Sequence, residues 1–92
     1  MVFMHPHEVE FQIRNLSMAS NYKMAESILI ELKNYSGKLS YDQISRFYFA
    51  VITNEQVYKC YNCKGHLNVI LQKYKDDMDK SQYDEILEII NK

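Results

Sequence analysis

The amino-acid sequence predicts an all-α fold, a small antiparallel bundle of four or five helices built as a single helical domain over residues 1–92. Three observations carry that reading. Apolar residues recur at helical spacing along nearly the whole chain. Two Gly and one Pro are too few for the tight turns of a β-sandwich or barrel. No low-complexity linker divides the chain, and 47% hydrophobic with 25% charged residues is a globular composition, not a disordered one.

The elements follow in order. Val9, Ile13 and Leu16 make one apolar stripe, and His5-Pro6 suits a helix start, with Pro at the first position where its missing N–H costs little. Ser20-Asn21 interrupts. Ala25, Ile28, Leu29 and Leu32 then follow the i, i+3, i+4, i+7 rule, and Gly37 beyond them predicts a left-handed C-terminal cap. Ser40-Tyr-Asp-Gln43 has the form of a capping box ahead of a third helix carrying Ile44, Phe47, Tyr48, Val51 and Tyr58. That helix is apolar nearly all round in its middle, which predicts a central position packed on two sides. A strand through 46–52 is the competing reading of the short apolar run. Asn62 to Gly65 reads as a break or kink. Leu67, Ile70, Leu71, Tyr74 and Met78 form the next stripe, and Asp76, Asp77 and Asp79 oppose the helix dipole at its end. Ser81 is the expected cap of a last helix bearing Tyr83, Ile86, Leu87 and Ile90. Short connections make neighbours antiparallel.

Composition excludes several functions. Eleven basic against twelve acidic residues leave a net charge of -1, without the basic excess that nucleic-acid binding normally needs. The N-terminus has neither a Lys/Arg cluster nor a long apolar stretch, so no signal peptide is evident. The longest apolar run, Phe47-Tyr-Phe-Ala-Val-Ile52, is too short to span a bilayer. A cytoplasmic protein with no membrane partner is expected. Lys outnumbers Arg nine to two, a skew typical of AT-rich bacterial or phage genomes.

Chemistry-bearing motifs are sparse. Cys60-Tyr-Asn-Cys63 opens like a zinc knuckle, but His66 follows too soon and no fourth ligand comes after it. Both cysteines, three apart on a helix, read as small hydrophobes on one face. A redox Cys-x-x-Cys normally begins a helix after a strand, and no strand precedes this one. His5 and His7 flank Pro6 and read as exposed. Asp76, Asp77 and Asp79 lack the calcium-loop pattern and read as a solvated helix end. The eight Tyr mostly sit on the stripes, as core or groove lining. No phosphate loop, Ser-His-Asp order or metalloprotease motif occurs. The expectation is no metal and no cofactor.

Two resemblances add to this. Asn21-Tyr-Lys-Met-Ala-Glu-Ser-Ile-Leu-Ile-Glu-Leu32 resembles the second helix of a tetratricopeptide-type hairpin. From Val9 to Asn62 the chain is similar to the N-terminal three-helix bundle of the Rap family, Bacillus regulators that bind response regulators. Ala25-Glu26, Asp42-Gln43 and Tyr48-Phe49 stand where members show Ala-Glu, a Glu-Asp-Gln cluster and a Tyr-Tyr pair. Tyr41 stands where the family often has Glu, and no long tetratricopeptide array follows in this sequence.

The function expected is a small regulatory interaction domain that docks on a signalling partner through the second and third helices, with Asp42, Gln43, Arg46 and Phe47 around the start of the third as the exposed candidates. The partner the resemblance implies is a response-regulator receiver. In phosphatase members a Gln at this position orients a water for attack on the phosphoaspartate. Gln43 would take that role, and the enzyme implied is an aspartyl-phosphate phosphatase. The plain reading of Gln43 is the fourth residue of a capping box, which would hold its amide against the helix end. The alternative function is a standalone, self-associating bundle of phage or immunity type, a homodimer through surplus apolar surface.

Overall fold

The computed structural model describes residues 5–92; the reading of Met1–Met4 lies outside them. Six α-helices follow one another: α1 Pro6–Ser17, α2 Tyr22–Asn34, α3 Tyr41–Thr53, α4 Gln56–Lys59, α5 Tyr61–Lys73 and α6 Lys80–Ile90. A 3₁₀ turn, Lys75–Asp77, links the last two, and no strand occurs among the described residues. The all-α bundle is the architecture that the apolar spacing predicts. Five helices are long, and the sixth, α4, is a single turn split from the third predicted helix.

Local chemistry sets the starts of the first three helices. His5 precedes α1, with Pro at the first position. Asn21 caps α2 by accepting from the Met24 N–H at 2.9 Å. The predicted capping box opens α3: Gln43 N–H donates to Ser40 Oγ at 3.2 Å, and Ser40 N–H donates to Gln43 Oε1 at 2.9 Å. The last helix starts one residue before the predicted Ser81 cap, with Asp79 at the N-cap and no side-chain cap bond.

The end of α2 departs from expectation. No described residue has a positive φ, so Gly37 makes no left-handed cap. The helix leaves through Tyr35 in extended conformation. Gly37 is small for another reason: a Cβ there would lie 2.5 Å from Tyr35 Oη, because the ring lies over it. Lys73, at the end of α5, donates to the Tyr35 carbonyl at 2.6 Å and so holds this turn from across the bundle.

The third predicted helix, expected to reach Tyr58, stops at Thr53. Asn54 ends it. Its Nδ2 donates to the carbonyls of Leu16 at 2.9 Å and Ala19 at 3.0 Å, and its Oδ1 accepts from Gln56 N–H at 3.1 Å. One side chain thus closes the C-terminus of α1 and the turn into α4. The break predicted at Asn62–Gly65 falls instead at Cys60, and α5 runs through Gly65. A helical Gly costs only about 1 kcal/mol relative to Ala. Burial of Cys63, Leu67, Ile70 and Leu71 outweighs it, each large side chain contributing about 1.5–3 kcal/mol.

The buried residues form one continuous core: Val9, Ile13 and Leu16 from α1; Ala19; Ala25, Ile28, Leu29 and Leu32 from α2; Leu39; Ile44, Phe47, Ala50 and Val51 from α3; Val57; Cys63, Leu67, Ile70, Leu71 and Tyr74; and Ile86. Helix α2 packs against α1, α4 and α5, and α5 also meets α4 and α6. The hub is therefore α2 with α5, not the third helix as its apolar run suggests. Helix α3 packs on α1 and α6 and turns Phe49 outward. Two hydrogen bonds tie α3 to the start and middle of α6, from Tyr41 Oη to Asp79 at 2.8 Å and from Tyr48 Oη to Glu85 at 2.6 Å. Only Tyr74 of the tyrosines is fully buried; Tyr22, Tyr41 and Tyr61 face solvent.

Candidate functional site

The side of α1 away from the core carries His7, Glu10, Phe11, Arg14 and Ser17, again at i, i+3, i+4, i+7 spacing. Ser45, Arg46 and Phe49 of α3 face them. Together they line an open groove of about 740 Å³, floored by Ile13 and Ala50. Phe11 and Phe49 are 66% and 61% exposed, among the most exposed large apolar side chains described. Two exposed aromatics sharing one concavity with flanking charges make this groove the candidate interaction surface.

Arg46 organises the charge. Its Nη2 lies 2.8 Å from Asp42 Oδ2, one turn back on α3, and its Nη1 lies 3.9 Å from Glu10 Oε1 across the groove. Arg14 makes no ion pair among the described residues and leaves a cation at the groove's other wall. The lining joins two aromatic rings to both signs of charge.

The residues expected to meet a partner divide. Asp42 and Arg46 are exposed, and Arg46 is part of the groove. Gln43 is half-buried with its Oε1 engaged by the Ser40 N–H, the arrangement that the capping-box reading describes. Phe47 is a correction: at 3% exposure it belongs to the core. It lies three residues after Ile44 and four before Val51, on their face of the helix, so it cannot offer its ring to a partner in this fold. Phe49, two residues on, points the opposite way and is exposed. Sequence reasoning also misses the outward stripe of α1, although its spacing is as regular as that of the inward one.

Elsewhere the chemistry is modest. His66 of α5 is held between two α2 side chains, with Nε2 3.4 Å from Glu26 and Nδ1 3.1 Å from Lys33. An ammonium can only donate, so Lys33 is the donor to Nδ1, while Nε2 faces Glu26. Both nitrogens are thereby used within the helix pair. Among the described residues no three His, Cys, Asp or Glu side chains are placed to hold a metal ion. His5 and His7 are exposed, their rings stacked with centroids 5.6 Å apart. Asp76, Asp77 and Asp79 are exposed as well. The hydrogen bond to Asp79 raises the Tyr41 pKa, and that to Glu85 raises the Tyr48 pKa, since each carboxylate favours the protonated phenol.

No helix among the described residues is long and apolar enough to cross a membrane. No protein-family model matches the chain, and neither a curated protein nor a solved structure matches it.

Proposed function

We propose that this chain is a protein-interaction domain that captures a signalling partner in the groove between α1 and α3. The observation that supports the reading best is the pair of exposed rings, Phe11 and Phe49, facing one groove across which Arg46 reaches toward Glu10. Aromatic and Arg side chains are the usual anchors of protein interfaces. A response-regulator receiver is the partner class to test first, because Asp42 and Gln43, the residues of the Rap-like resemblance, lie at the N-terminal end of the same helix. The engaged amide oxygen of Gln43 favours an adaptor over a phosphatase, since a water-orienting role would have to work through Nε2 alone.

The test is binding of purified receiver domains to the immobilised chain, wild type against Phe49→Ala and Arg46→Glu. Both side chains are exposed, so circular dichroism should show unchanged helicity. Each variant should weaken capture at least tenfold, the loss of one anchor worth about 1.4 kcal/mol or more. Capture that survives both substitutions would remove the groove from the reading. Failure of every receiver to bind, together with a dimer that Phe49→Ala dissolves, would favour the self-associating alternative.

A further inference from the structure

Cys60 and Cys63 do not lie within one helix as their spacing alone suggests. Cys60 is the N-cap of α5, with φ -95 and ψ 139, and Cys63 is in the first turn. The difference is chemical. Side chains three apart inside a helix keep their Cβ atoms about 5–6 Å apart, beyond the roughly 3.5–4.5 Å of a disulfide. An extended N-cap residue instead directs its side chain toward the third residue of the helix, here Cys63, and the Cys60 side chain makes no cap hydrogen bond that would hold it away. The two thiols also differ in access. Cys60 is half-exposed, with exposed Lys59, Tyr61 and Asn62 around it. Cys63 is 0% exposed, its Sγ donating to the Tyr22 carbonyl of α2 at 3.6 Å.

We propose that Cys60 and Cys63 form a thiol–disulfide exchange site for small disulfides, Cys60 the attacking sulfur and Cys63 the resolving one. The Cys60 thiolate attacks one sulfur of a disulfide RS–SR, forming a Cys60–S–SR bond and releasing RS⁻. The Cys63 thiol then gives its proton to the RS⁻ released beside Cys60, and the Cys63 sulfur attacks Cys60 Sγ, forming the intramolecular disulfide and releasing the second RS⁻. The dithiol loses two electrons and two protons, and RS–SR is reduced to two RSH. The order of attack follows from the structure. Burial first, then the neighbouring Cys60 and Glu26, push the Cys63 pKa from 9.0 to about 11, so this residue remains a thiol at neutral pH and has no path to an external disulfide.

The experiment is incubation of the folded chain with oxidised glutathione, followed by intact-mass and peptide mapping. The wild type should end with a mass lower by two hydrogens and no retained glutathione. Cys63→Ser should stop at a mixed disulfide on Cys60. In native Cys60→Ser, Cys63 should react with a maleimide at least about tenfold more slowly than in the urea-unfolded chain, because its sulfur is buried. Wild type that keeps glutathione on Cys60 would overturn the proposal, as would equal labelling of Cys63 in native and unfolded Cys60→Ser. None of these readouts depends on the partner-binding groove.

Discussion

Asn54 offers the sharpest test of how this fold is held. Its amide donates twice, to Leu16 and Ala19 at the end of α1, and accepts once, from Gln56 at the start of α4. Asn54→Ala removes three partly buried hydrogen bonds. At about 1 kcal/mol net for each, the loss is about 2–4 kcal/mol. A domain of this length has roughly 5–14 kcal/mol in total. The corresponding fall in melting temperature is roughly 10–25 °C. Asn54→Asp is the more informative variant, because it keeps the shape and the acceptor for Gln56 but sets an anionic oxygen against two carbonyls. At neutral pH it should be at least as damaging as Asn54→Ala. Protonation restores a donor, so the folded-state pKa of the new carboxyl rises above its unfolded value of about 3.9. The charged form carries the penalty, which is therefore full above the raised pKa and fades as pH falls toward the unfolded one. Urea unfolding followed by circular dichroism, at about pH 7 and about pH 4, measures both arms. Asn54→Asp milder than Asn54→Ala at neutral pH, or a gap to wild type that widens in acid, would refute the two-carbonyl clamp.

Two further outcomes follow from the same geometry. Gly65 lies inside α5, exposed, and a Cβ added there would meet nothing within 4 Å, so Gly65→Ala should add about 0.5–1 kcal/mol and raise the melting temperature; a decrease would place the helix break back at Gly65. The hydrogen bonds of Tyr41 to Asp79 and Tyr48 to Glu85 raise both phenol pKa values above the unfolded one of about 10, so their stabilisation is complete below that pH and is lost as pH rises through the folded pKa values. The double variant Tyr41→Phe/Tyr48→Phe should show a shallower alkaline loss of stability than wild type in urea titrations on either side of that range, and identical slopes would show that the two bonds do not persist in solution.

The groove is legible in the sequence only in part. Asp42 lies where the Rap-like pattern points and Arg46 where the docking reading puts it, but that reading takes the wrong phenylalanine of the run Phe47-Tyr-Phe49 as the surface one. The helical period separates the two rings once Ile44 and Val51 are taken as the inward face. Phe11 escapes notice because the inward stripe of Val9, Ile13 and Leu16 explains its helix without it.

Periodicity and cap chemistry are local properties, written within a turn or two of sequence. They are enough to determine the all-α class, a count of four or five helices, the core faces of α1, α2 and α5, the Asn21 interruption and the Ser40–Gln43 box. Where the third helix stops, which Gly is tolerated, and which cysteine is reachable are not local. Asn54 ends α3 because its partners lie on α1 and just beyond it, 38 and 35 residues earlier in the chain. Gly65 stays helical because its neighbours on α5 are buried against α2. Cys60 becomes an N-cap only because the chain must turn between α4 and α5 as both pack on α2. A side chain's access and partners depend on what the rest of the chain brings beside it, and only the packed tertiary structure supplies that.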